Sequence, residues 1–226
     1  MKKLMIATAL LSSVNAMAGT MGPPPPKPLP WHFHAGIGYV NYEDMIEPNT
    51  TVLRIAGERD IFTYEDATFG IEVGAQTGLS SRLRMTETQI EAFGGTAIQA
   101  TISTFFDVLG TVMIPFNLPV MDTAPMTMNV LPETAAVFAK VGMAYRQMHF
   151  DRGTIDAQST INAEVQVGLS MPISRRASIS LAYQGIYGGS ETLHVLTYSG
   201  VAPDATGRIN SIPTQNGGLL MFTWNA

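Results

Sequence analysis

His32 and His34 stand one residue apart, and on a strand both imidazoles would point to the same side. A zinc or copper site can begin from such a pair, but it needs further ligands that no spacing in this chain fixes. Polar lining is therefore the expected role, and no metal is assigned. His149 with Asp151 and His194 with Glu191 place imidazoles beside carboxylates. Neither pair comes with a nucleophile, so no nucleophile–base–orienter set forms and no catalytic residue is assigned. Met113, Met121, Met126 and Met128 offer thioethers of the kind Cu(I) prefers. They are spread among prolines in one connection, which reads as adaptable apolar packing. Gly36-x-Gly38 lacks the third glycine and the following helix of a nucleotide loop, and reads as strand interior. With no cysteine there is no disulfide, thiolate or Cys-based zinc site. No cofactor is expected and no enzyme is assigned, with a rim-site outer-membrane enzyme at His149 or His194 as the weaker alternative.

The remaining reactive groups are charges set singly into otherwise small, polar strand faces. Glu72, Asp107 and Glu164 oppose Arg82, Arg84, Lys140 and Arg146. In a closed barrel of about eight strands these would share a lumen with room for side chains but not for a wide channel. Buried charges must be paired and hydrogen-bonded or they are costly, so a salt-bridged structural network is expected. A narrow ion or small-solute path is the alternative. A wide porin would need about 16 strands, more than this length supplies.

The elements that position these groups are written in composition and period. Apolar residues make up 46% and charged residues only 14% of 226, where soluble domains carry about a quarter charged. The formal net charge of −5 and the absence of any basic block argue against a nucleic-acid partner. Lys2-Lys3, an apolar run from Leu4 to Leu11 and the small-residue pattern Ala16-Met17-Ala18 predict a cleaved signal peptide over 1–18. Residues 19–30, with Pro23-Pro24-Pro25-Pro26, predict an extended, Pro-rich periplasmic spacer.

From 31 to 226 the pattern is period two. Apolar faces are predicted at Trp31–Tyr39, Phe69–Ala75, Leu83–Met85, Ile102–Ile114, Val137–Tyr145, Ile161–Leu169, Ile179–Tyr187 and Leu220–Trp224. Most of these approach the 9–11 residues, roughly, that cross a bilayer when tilted. The fold expected is an all-β, antiparallel up-and-down transmembrane barrel. Aromatics near the ends of the apolar faces, Trp31, Tyr39, Tyr145, Tyr183, Tyr187 and Trp224, suit interfacial girdles. A soluble sandwich would show more Lys and Glu and less Gly on its polar faces. With the N-terminus periplasmic, the outward connections fall at 43–62, 88–98, 150–159 and 191–215. The first of these carries Glu43, Asp44, Glu47, Glu58 and Asp60. Inward connections are short except 115–133.

Phe138-Ala139-Lys140-Val141-Gly142-Met143-Ala144-Tyr145-Arg146 resembles the fifth strand of small OmpA-like, opacity-type outer-membrane barrels. Gln184-Gly185-Ile186-Tyr187-Gly188-Gly189 and Ile212-Pro213-Thr214-Gln215-Asn216-Gly217-Gly218-Leu219-Leu220 resemble uncharacterised members of that family. The likeness covers nearly all of 31–226. It implies an eight-stranded barrel in a Gram-negative outer membrane. The expected partners are outer-membrane lipid, lipopolysaccharide and the outer-membrane assembly machinery, with long loops available to surface or host ligands. That machinery reads alternating apolar residues ending in an aromatic; Leu220, Phe222 and Trp224 fit, whereas Ala226 departs. Ala226→Phe is expected to assemble at least as well as the parent chain. The check is the yield of heat-modifiable barrel in outer-membrane fractions, and a clear loss would contradict this signal.

Overall fold

Val, Ile, Tyr and Phe at alternate positions, with Gly, Ser, Thr and single charges between, give a strand one apolar and one polar side. A computed structural model describes residues 30–43, 45, 48–78, 83–84, 99–117, 134–150, 157–174, 176–189, 193–196, 206–209 and 212–226. No helix occurs among the described residues. The strands are β1 (Trp31–Tyr42), β2 (Asn49–Tyr64), β3 (Ala67–Gly78), β4 (Leu83–Arg84), β5 (Gln99–Ile102), β6 (Phe105–Asn117), β7 (Thr134–Phe150), β8 (Gln158–Ser174), β9 (Ala177–Tyr187), β10 (Leu193–Leu196), β11 (Thr206–Ile209) and β12 (Gln215–Asn225). The expected signal peptide, the spacer apart from Pro30, and the 88–98 connection lie outside the described residues.

Eight strands close a ring in the order β1, β2, β3, β6, β7, β8, β9, β12, every neighbour antiparallel. Two seams make this a barrel and not an open sheet. One joins β7 to β8, from Ala136↔Ser170 to Met148↔Gln158. The other joins β1 to β12, from His32↔Asn225 to Tyr42↔Gln215. Outside the ring, β5 extends one end of β7, β4 pairs with β5, and β10 pairs with β11.

The wall is apolar outside and polar within. Ile55, Val141 and Leu181 point outward and are 65%, 63% and 64% exposed, whereas Arg54, Glu72 and Glu164 point inward and are 1%, 0% and 0% exposed. Trp31 and Trp224 sit on the outer face at one end of the barrel; Tyr39, Tyr145, Tyr183 and Tyr187 sit on it towards the other. The lumen is narrow, and strands approach closely: a Cβ on Gly142 would run into the Val108 carbonyl.

The ring differs from the sequence expectation in three places. Residues 43–62 are not one connection, because β2 occupies 49–64 and turns Glu58 and Asp60 into the lumen. Leu83–Met85 is not a ring strand; β4 covers only 83–84 beyond it. The predicted strand over 102–114 is broken at 103–104, where Ser103 N–H donates to the Gln147 carbonyl. Ile102, expected on the apolar outer face with Phe106, is consequently buried, while Phe106 does face outward and Phe105 faces in.

β2 and β3 join through Glu65 and Asp66, with Tyr64 opposite Ala67. Glu65 has φ 52°, the left-handed region that favours glycine and strains other side chains. Glu65→Gly should therefore raise stability by roughly 1 kcal/mol, read as a higher urea midpoint in detergent micelles. A lower midpoint would show that the turn is not strained.

Candidate functional site in the barrel lumen

Five strands bring charge to the middle of the lumen because their inward positions align across the register: His34 on β1, Arg54 and Glu58 on β2, Glu72 on β3, Asp107 on β6 and Lys140 on β7. Glu164 enters from β8. Arg54 forks onto Asp107, Nη1 to Oδ2 at 2.6 Å and Nη2 to Oδ1 at 2.8 Å, and Nη2 also donates to Glu72 Oε1 at 2.8 Å. This two-pronged geometry is the strong form of a guanidinium–carboxylate pair. Lys140 Nζ donates to Glu58 Oε2 at 2.9 Å and Glu72 Oε2 at 2.5 Å. Thr111 donates its hydroxyl to Glu58 Oε1 at 2.6 Å.

His34 Nε2 lies 3.0 Å from Glu58 Oε2 and 3.4 Å from Glu72 Oε2, so that nitrogen carries a proton. Its Nδ1 is 2.8 Å from Thr223 Oγ1. Glutamines continue the network: Gln166 and Gln184 each donate to Glu164 Oε1 at 2.7 Å, and Gln215 donates to Gln184 at 3.2 Å. Counting fixed charges, Arg54 and Lys140 face four carboxylates, Glu58, Glu72, Asp107 and Glu164.

Towards the tyrosine end the described inward residues turn apolar. Phe105, Ala144 and Ile186 pack together, and Tyr42, Met45, Ile102, Met148 and Ile212 belong to a larger apolar cluster. Arg146 lies beside these clusters: it donates to the carbonyls of Pro213 at 2.8 Å and Ile212 at 3.3 Å, and Nε donates to Asn162 Oδ1 at 2.9 Å. Towards the tryptophan end a cavity of about 190 Å³ opens above the network, with His34, Glu58 and Lys140 as its floor and Met113, Phe138 and Met221 among its walls.

Of the charges singled out in the sequence, Glu72, Asp107, Lys140 and Glu164 meet, while Arg146 holds the strap at 212–213. Arg84 lies in β4, outside the ring, and Arg82 lies outside the described residues. Sequence reasoning missed Arg54 and Glu58, which sit on the unrecognised strand. The two N-terminal histidines do not converge: His32 turns to Asp60 at 3.1 Å and Asn225 at 2.7 Å. His34, Glu58 and Glu72 do offer ligand atoms within 4.8 Å of one another. The Lys140 ammonium touches both carboxylates and already supplies the positive charge a metal would bring. His149 is exposed at the end of β7, and His194 is in β10; Asp151 and Glu191 lie outside the described residues.

No family model matches the sequence, and no curated protein matches it. Solved structures of similar shape include Neisserial surface protein A, at 8% identity and a TM-score of 0.44 over 85% of this chain and 94% of that one. Ail, the attachment invasion locus protein of Yersinia pestis, has 9% identity and a TM-score of 0.45 over 88% and 99%. The outer membrane protein OprG from Pseudomonas aeruginosa has 11% identity and a TM-score of 0.44 over 88% and 97%. Likeness at this level establishes neither family nor activity, and the barrel stands on its own strand pairing.

Removing Lys140 would leave Glu58 and Glu72 buried without their shared cation. Lys140→Met should cost about 3–5 kcal/mol, and adding Glu72→Gln should recover part of that loss. Urea midpoints across the double-mutant cycle check it; simple additivity would mean the three groups do not act together.

Proposed function

We propose that the chain is a non-enzymatic outer-membrane β-barrel of a Gram-negative envelope, exported by residues 1–18, with a sealed lumen and its outward business in the loops at the tyrosine end. One observation carries this reading: the wall is inverted, with large apolar side chains exposed all round and the charges inside. A protein surrounded by water would lose stability by that arrangement, while a bilayer rewards it. The two tryptophans and four tyrosines at opposite ends of the wall match the depth at which such rings sit in headgroups. The described inward residues favour a plug over a pore, since Arg54 and Lys140 are held by carboxylates and Arg146 pins an apolar strap across one mouth.

With the N-terminal side periplasmic, the connections at 43–48, 79–104, 151–157 and 188–214 face outward. Those at 65–66, 118–133 and 175–176 face the periplasm. The two longest outward connections are the natural places for contact with the environment or a host surface, and lipopolysaccharide is the lipid they would meet. Assembly would use the outer-membrane insertion machinery through Leu220, Phe222 and Trp224.

The test has two parts. Outer-membrane material run on a gel with and without boiling should show a heat-dependent shift, because a closed barrel resists detergent. Purified protein in planar bilayers should give a flat trace. Steady unitary conductance would replace the plug with a narrow channel, and a soluble periplasmic protein without a heat shift would end the membrane reading.

A further inference from the structure

Among the described residues, the outward-facing positions of the eight ring strands carry one permanent charge, Arg59 on β2. A cation on an apolar wall is costly, and it is found where it can reach a phosphate or an interface. Arg59 lies opposite Trp31, the first residue of β1, and its Cζ stands 5.3 Å from the centre of the Trp31 ring. The guanidinium thus stands over the indole in a cation–π contact, and its hydrogen-bonding capacity lies along its N–H edge. No carboxylate or carbonyl of the described residues is bonded to that edge.

Two residues along β2, on the same outer face, stands Gly57. A Cβ built there would meet nothing within 4 Å. Phe33 pairs with it on one side and Val73 on the other, both more than half exposed. The wall therefore has an apolar notch leading from Arg59 towards the middle of the barrel.

We propose that Trp31, Gly57 and Arg59 form a seat for an anionic glycerophospholipid, its phosphate on the Arg59 guanidinium and an acyl chain in the notch over Gly57. The proposal rests on the membrane reading above. Charge complementarity selects the lipid. The phosphate of a zwitterionic lipid already has an ammonium beside it, whereas that of phosphatidylglycerol does not and gains more from a guanidinium. The planar fork matches two phosphate oxygens at once, which a lysine cannot do.

The chain has two tryptophans, so Trp224→Phe leaves Trp31 as the sole indole. The full chain carrying that change, reconstituted in phosphatidylcholine vesicles, is titrated with acyl-brominated phosphatidylglycerol or acyl-brominated phosphatidylcholine at equal mole fraction. Trp31 fluorescence should be quenched by the anionic lipid with about fivefold preference. Arg59→Gln should abolish that preference, Arg59→Lys should keep part of it, and Gly57→Leu should weaken quenching by filling the notch. The heat-dependent gel shift of each variant checks that the barrel is intact. Equal quenching by the two lipids, or a preference that survives Arg59→Gln, overturns the seat while leaving the barrel in its bilayer. No quenching by either lipid, with the barrel intact, overturns the membrane reading and the seat with it.

Discussion

Because β7 bonds to β8 and β1 to β12, no strand of the ring keeps an open edge, and its side chains sort by which side of the wall they face. Every strand then contributes alternate residues to a shared interior. Glu58 and Lys140, 82 residues apart in sequence, meet only because β2, β3, β6 and β7 are consecutive in the ring. An open sheet would leave those charges in solvent, where such pairs are worth little. The ring places them where they either find partners or destabilise the fold.

That exacting interior explains the composition of the lumen. Arg54 occupies the centre because a planar fork can hold two acids at once, Asp107 through both oxygens and Glu72 through one. Lys140, a point charge, bridges the remaining oxygen of Glu72 to Glu58. Glu164 lies farther from the guanidinium, at 3.9 Å, and is held instead by two glutamine amides. A network connected this way gives the barrel one arrangement of its interior, since moving any member leaves a buried partner unmatched. At the tyrosine end the same need is met differently, by the Arg146 guanidinium satisfying two main-chain carbonyls of the strap.

The barrel was legible in the sequence wherever the outward row was unbroken, as in Val137–Tyr145 and Ile161–Leu169, where apolar residues alternate with small or polar ones. β2 was not legible for two physical reasons. Its outward row, Leu53, Ile55, Gly57 and Arg59, ends in a gap and a charge, so Glu58-Arg59-Asp60 reads as a solvated run. Its hairpin to β3 turns on Glu65 and Asp66 with neither Asn-Gly nor a leading glycine, so the usual turn signal was missing. The reverse error arose at Leu83–Met85, where alternation over a few residues suits any short extended piece. Four of the six permanent charges of the central network were consequently found, Glu72, Asp107, Lys140 and Glu164, while Arg54 and Glu58 on the hidden strand were not. The partners of His34 could not be read at all, because they depend on which strand lies next to β1.

The seam between β1 and β12 has a temporal meaning as well as a spatial one. His32 and Asn225, hydrogen-bonded across it, are 193 residues apart. At synthesis rates of about 5–20 residues per second, the N-terminal partner exists for roughly 10–40 seconds before the C-terminal one is made. Throughout that interval β1 has an unbonded edge on the side reserved for β12, and its outward row of Trp31, Phe33, Ile37 and Tyr39 has nothing to face. Closure of the ring therefore waits on the last strand of the chain, and no earlier strand can take the place of Gln215–Asn225 beside β1.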